Sequence, residues 1–183
     1  MVLNKYSRTA ITLILACSFI SLGIFFRNNI NLKYNSLDEY VLKKFPVNTN
    51  LELLDKNRDF KFLKSGEGFL VVHFWATWCG PCEAELPDFV EFSKKFQNIN
   101  FLIIAAKDDL KKVKKFLVKL GPVGSNVYYA SDEDGGAMKE FGTLRLPETY
   151  LFDKNLDIVK KFVGPQDWLN EYFYNNFNFL SSQ

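Results

Sequence analysis

An apolar run, Phe69-Leu70-Val71-Val72, leads through His73-Phe74-Trp75 into Cys79-Gly80-Pro81-Cys82. Few features restrict a fold more. The run is rich in β-branched and aromatic residues and reads as a buried strand. After Cys82 the period changes. Leu86, Phe89, Val90, Ser93 and Phe96 fall on or near one helical face. The two cysteines therefore stand where a strand ends and a helix begins. Unpaired N–H groups and the positive end of the helix dipole favour a thiolate there. Only the thiolate attacks a disulfide.

The flanking pattern alternates strands with helices. Leu51 to Leu54 and Phe60 to Leu63 read as short strands or one hairpin, and Phe69 to Trp75 as the central strand. Cys79 to Gln97 reads as the first long helix, kinked at Pro87, which removes one intrahelical hydrogen bond. Phe101 to Ala106 is a second buried strand. A helix capped by Asp108 or Asp109 turns Leu110, Val113, Phe116, Leu117 and Leu120 inward and ends at Gly121. Its outer face carries Lys111, Lys112, Lys114, Lys115 and Lys119, either a solvated face or a patch for an acidic partner or lipid headgroups. Val127 to Ala130 is a strand and Ala137 to Phe141 a short helix. Thr149 to Phe152 and Ile158 to Val163 form a hairpin. Asp167 to Phe179 is a closing helix, with Trp168, Leu169, Tyr172 and Phe173 inward. A β-α-β-α unit followed by β-β-α predicts an α/β fold with helices over a mixed sheet.

Ala10 to Phe26 is an uncharged apolar run of about 17 residues, preceded by Lys5 and Arg8 and followed by Arg27. It reads as a membrane anchor. A cleaved signal peptide and a lipoprotein signal ending at Cys17 stay open as alternatives. Positive residues before the run put the N-terminus in the cytoplasm and the following domain outside it. The expected organisation is an N-terminal membrane anchor over residues 1–27, a tether over 28–45 and one domain over 46–183. A formal net charge of +2 gives no reason to expect a nucleic-acid partner. Three cysteines, one of them in the apolar run, do not make a disulfide scaffold, so the pair at C-x-x-C spacing reads as a working pair.

Trp78-Cys79-Gly80-Pro81-Cys82 is identical to the thioredoxin active-site motif. With Glu83-Ala84-Glu85-Leu86-Pro87 it resembles the TlpA/ResA/CcmG (DsbE-like) group of membrane-anchored, extracytoplasmic thiol–disulfide oxidoreductases. Leu146-Pro147-Glu148-Thr149-Tyr150-Leu151-Phe152-Asp153 resembles that group's cis-proline strand, and Pro-Glu-Thr there is favoured by its CcmG-like members. The resemblance covers roughly residues 46 to 175. It implies a thioredoxin-like fold with an N-terminal transmembrane helix, anchored in the inner membrane with the domain on the periplasmic side. It implies reduction of disulfides in exported proteins, apocytochrome c first among them, with a membrane thiol-transfer protein as electron donor and no cofactor. A general reductase or isomerase of exported proteins stays open. So does an exported metal-binding chaperone, although zinc wants about four ligands and only His73 and Cys17 could join the pair.

Within the motif, Cys79 is the candidate nucleophile and Cys82 the buried resolving cysteine. Pro81 suits a first helical turn and limits how far the two sulfurs can separate. Gly80-Pro81 resembles the reducing members of the family more than the oxidising ones. The resemblance implies a cis bond at Leu146-Pro147, beside Cys79, leaving the backbone of Leu146 to pair with a substrate strand. Glu85 is either a first-turn acid or, as in the family, a carboxyl near the cysteines that affects their acidity. His73 stands where thioredoxin itself carries Asp and the TlpA/ResA group often carries Asn. It is either a core histidine or a neutral imidazole, with a pKa near working pH, that takes the Cys82 proton.

Overall fold

The computed structural model describes residues 42–47, 49, 51–55, 58–59 and 68–181. The expected anchor, most of the tether and the strand expected at Phe60 to Leu63 lie outside the described residues. Among the described residues no helix is long and apolar enough to cross a membrane.

The chain runs β1 (Glu52–Leu53), β2 (Phe69–Trp75), α1 (Gly80–Ser93), β3 (Ile99–Ala106), α2 (Leu110–Leu120), β4 (Val127–Asp132), α3 (Gly136–Phe141), β5 (Glu148–Phe152), β6 (Ile158–Val163) and α4 (Glu171–Ser181). The six strands form one sheet in the order β1-β4-β3-β2-β5-β6. Pairings β2·β3 and β3·β4 are parallel, while β1·β4, β2·β5 and β5·β6 are antiparallel. The sheet is mixed, as the alternation of elements requires.

Position 2 periodicity divides the core. Val71 and Trp75 of β2 pack on one face with Leu86, Phe89 and Phe92 of α1, Val113 of α2, and Phe173 and Phe177 of α4. Leu70, Val72 and Phe74 pack on the other face with Phe45, Phe141 and Tyr150. Phe45 is 4% exposed, meets Phe141 edge-on at 5.3 Å and donates its N–H to Leu156 O. The compact unit accordingly begins at Leu42.

Several boundaries differ from the sequence reading. Helix α1 runs through Pro87 but stops at Ser93 rather than Gln97. There the chain tightens, with Lys95 N–H bonded to Phe92 O and Phe96 N–H to Ser93 O. Helix α4 starts at Glu171, and Leu169 and Tyr172, expected inward, are 41% and 53% exposed. The stretch before α4 is a loop, so helical spacing does not apply to Leu169. The inward face of α4 is Phe173 and Phe177, with Trp168 buried from the loop. Asp109 caps α2 by accepting from Lys111 N–H and Lys112 N–H.

Candidate active site

The strand order brings the functional residues to one end of the sheet. Strands β2, β3 and β4 are parallel and end there. Strand β5, antiparallel to β2, begins there, with Glu148 opposite Phe74. Strand β6 ends there, with Val163 opposite Glu148. Cys79 follows β2, Pro147 precedes β5, and Gln166-Asp167-Trp168 follow β6.

Cys79 and Cys82 are joined by a disulfide, with S–S 2.04 Å and Cα–Cα 5.3 Å. Cys79 is the N-cap residue of α1, and Pro81 lies in its first turn. Cys79 is 8% exposed and Cys82 is fully buried. An N-cap side chain accepts from the second or third helical N–H. Pro81, second in α1, has none, and the bonded Cys79 sulfur makes no cap hydrogen bond. Trp78, one residue earlier, is 61% exposed.

The approach to Cys79 is held from the β3–α2 loop. Asp108 accepts from both the backbone N–H and the hydroxyl of Thr77, the latter at 2.9 Å. Lys107 O accepts from Trp78 Nε1 at 3.0 Å. Lys107 takes a left-handed conformation, φ 50°, rare for a residue with a side chain. The sequence reading did not select Lys107, and took Asp108 only as a candidate helix cap. Their only signal is position, after a parallel strand where such sheets place their sites.

The Leu146–Pro147 bond is cis, as the family resemblance implies. Pro147 O accepts from Gly164 N–H at 2.9 Å, tying this loop to the end of β6. Leu146 is half-buried.

Glu85 is not a first-turn surface acid. It is 5% exposed, one helical turn beyond Cys82 on the same helix. Its Oε1 accepts from Trp168 Nε1, and the carboxyl also accepts from the Gln166 backbone N–H. Burial outweighs both bonds and pushes its pKa up to about 7. Its Oε2 is buried with no partner among the described residues. Trp168 escaped the sequence reading as a site residue. The available signal was that a buried indole N–H needs an acceptor.

His73 sits in the core against α1. Its ring stacks on Phe89 at 4.3 Å, and its Nδ1 lies 2.9 Å from Thr149 Oγ1. It is fully buried, and burial pushes its pKa down to about 3, not near working pH. A base that weak is no match for a thiol. An orphaned buried N–H costs more than an orphaned lone pair, so the proton is assigned to Nδ1, donated to Thr149, and Nε2, without a partner among the described residues, is left bare.

Among the described residues no three His, Cys, Asp or Glu side chains gather as a metal would require.

The Redoxin family model matches residues 42–174, most of the chain. This chain belongs to the Redoxin family. Within that family it is 34% identical over 118 residues to the thiol-disulfide oxidoreductase ResA of Bacillus thuringiensis subsp. konkukian, covering 63% of this chain and 64% of the relative. It thus spans somewhat less than two thirds of that relative's length. To ResA of Bacillus thuringiensis strain Al Hakam it is 33% identical over 129 residues, covering 68% of this chain and 70% of the relative. The crystal structure of StoA from Bacillus subtilis is similar at a TM-score of 0.53 and 20% identity, covering 68% of this chain and all of that one. That likeness concerns the fold, which is thioredoxin-like, with helices on a mixed sheet.

Proposed function

We propose that this protein is a thiol–disulfide oxidoreductase that reduces protein disulfides outside the cytoplasm. One observation carries the reading: the unequal burial of two bonded cysteines at a helix N-terminus. The names of its relatives support the oxidoreductase class.

In the reduced protein, the Cys79 thiolate attacks one sulfur of a substrate disulfide. That S–S bond breaks, a mixed disulfide forms, and the leaving thiolate takes a proton. Cys82 then gives up its proton, and its thiolate attacks Cys79 Sγ. The second substrate thiol leaves and the Cys79–Cys82 disulfide remains, two electrons having passed to the substrate. Glu85, not His73, is the group matched to the Cys82 proton. It lies a turn away on the same helix, is buried, and has a pKa near neutrality. Trp78, Gly80 and Pro81 frame the attacking sulfur, and the Leu146 backbone beside Pro147 pairs with the substrate chain.

The run from Ala10 to Phe26 anchors the domain to the membrane, facing outward. A membrane thiol-transfer protein restores the thiols, and apocytochrome c is the first substrate to test. Trapping partners in cells with Cys82→Ser, followed by their identification, tests this. Recovery of apocytochrome c supports the maturation role. A broad set of exported proteins points to a general reductase. Cytoplasmic proteins alone contradict the proposal.

A further inference from the structure

Leu144, Arg145 and Leu146 form a short arch between α3 and Pro147. Leu144 is 89% exposed, Arg145 is exposed and Leu146 is half-buried. Both feet of the arch are fastened to one polar cluster, buried except for the cation of Lys161. At the first foot, Thr143 donates its N–H to Met138 O at 2.8 Å, and its hydroxyl lies 2.9 Å from the Tyr150 hydroxyl. At the second foot stands Glu148, 2% exposed. Its Oε2 accepts from Tyr150 Oη and from Lys161 Nζ, each at 2.9 Å. Lys161 Nζ also lies 4.9 Å from the Tyr150 ring centroid and 3.5 Å from Gly142 O.

Tyr150 Oη also lies 3.1 Å from Phe141 O, but a hydroxyl has one hydrogen to give. The carboxylate that Lys161 also contacts is the stronger acceptor. Tyr150 therefore donates to Glu148 and accepts from Thr143. The result is a directed chain, Thr143 to Tyr150 to Glu148, closed by the Lys161 cation. The chain links the residue before the arch to the residue after Pro147.

Glu148 is buried but the Lys161 side chain stays 33% exposed, so solvent screening limits what the pair adds to stability. The pair does fix geometry. We propose that the Glu148–Lys161 pair, with Tyr150 and Thr143, is a positioning device that holds the Leu144–Leu146 arch in place for docking of a protein disulfide. None of the four touches the reacting sulfurs, so the device acts on recognition of the polypeptide and not on thiol chemistry. The inference rests on the reading that Cys79 attacks protein disulfides.

The test compares insulin with glutathione disulfide, a substrate too small to need the arch. Lys161→Met is expected to raise KM for insulin about tenfold, the scale of a coupling near 1.4 kcal/mol. It should leave kcat for insulin, and kcat/KM for glutathione disulfide, within about twofold. Lys161→Arg, which keeps the cation, is expected to recover the KM. A lower melting temperature with unchanged KM for insulin would reduce the cluster to a stabilising element and overturn the inference. Equal losses on both substrates would overturn it too. A wild-type protein that reduces neither substrate removes the underlying reading. If Lys161→Met does not fold, Thr143→Val with amide exchange at Leu144 to Leu146 decides. Faster exchange there is expected, and unchanged exchange contradicts the device.

Discussion

The indole N–H of Trp168 donates to Oε1 of Glu85, joining two residues 83 positions apart in the chain. This bond brings the β6–α4 loop onto the helix that carries Cys82. It also ranks the influences on Glu85: burial raises its pKa, and Trp168 and Gln166 hold it partly down.

Trp168→Phe is therefore expected to raise the Glu85 pKa above about 7, because a cause that lowers it is removed and the burial remains. Carbon-detected titration of the Glu85 carboxyl reads this directly. A lower value would mean that water enters in place of the indole and that burial is not the leading cause. The lost bond should also cost about 1–3 kcal/mol in unfolding free energy.

Stability against pH carries two opposed slopes. Folding raises the Glu85 pKa from 4.5 to about 7, so the folded state keeps a proton that the unfolded chain releases. That contribution is full below pH 4.5 and is lost as the pH rises to about 7. Folding lowers the His73 pKa from 6.5 to about 3, so the unfolded chain binds the extra proton. That contribution is full above pH 6.5 and is lost as the pH falls towards 3. Between pH 4.5 and 6.5 the two nearly cancel. Denaturation midpoints of the oxidised protein should show Glu85→Gln gaining stability with pH through this window. His73→Asn should lose it, each slope approaching about 1.4 kcal/mol per pH unit. Parallel curves for wild type and both variants would refute the assignment.

Asp108→Ala is expected to loosen the turn before Cys79, since it releases the N–H and hydroxyl of Thr77. Melting temperature should fall and Trp78 emission should shift to the red as the indole gains freedom. Asp108→Asn, which keeps an acceptor, should do less harm. Equal effects from the two variants would show that charge, not the bonds to Thr77, matters at Asp108.

Much of this was legible in the chain because local pattern and burial agree. Phe69 to Trp75 is apolar throughout and lies inside the sheet with neighbours on both edges. The pattern after Cys82 marks the inward face of α1 through Leu86, Phe89 and Val90. Glu85 was harder to place, because a carboxylate next to Leu86 looks like a solvated neighbour until Trp168 arrives from the far end of the chain. His73 looked titratable because its type suggests it. Its value is set by complete burial, which spacing does not reveal. Leu169 fits a helical stripe, but the helix begins only at Glu171, and within it Phe173 and Phe177 turn inward while Tyr172 is exposed. The Asp108 clamp depends on two loops meeting at the sheet end, and no local signal announces it.

The central claim is that Cys79 attacks and Cys82 resolves. The most direct measurement mixes reduced Cys79→Ser and reduced Cys82→Ser, separately, with a disulfide-bonded protein, then quenches with acid and counts covalent adducts. The account predicts that Cys82→Ser accumulates a mixed disulfide through Cys79 to near stoichiometry, while Cys79→Ser, with its one remaining thiol buried, yields almost none. Equal trapping by the two variants, or faster trapping through Cys82, would contradict it.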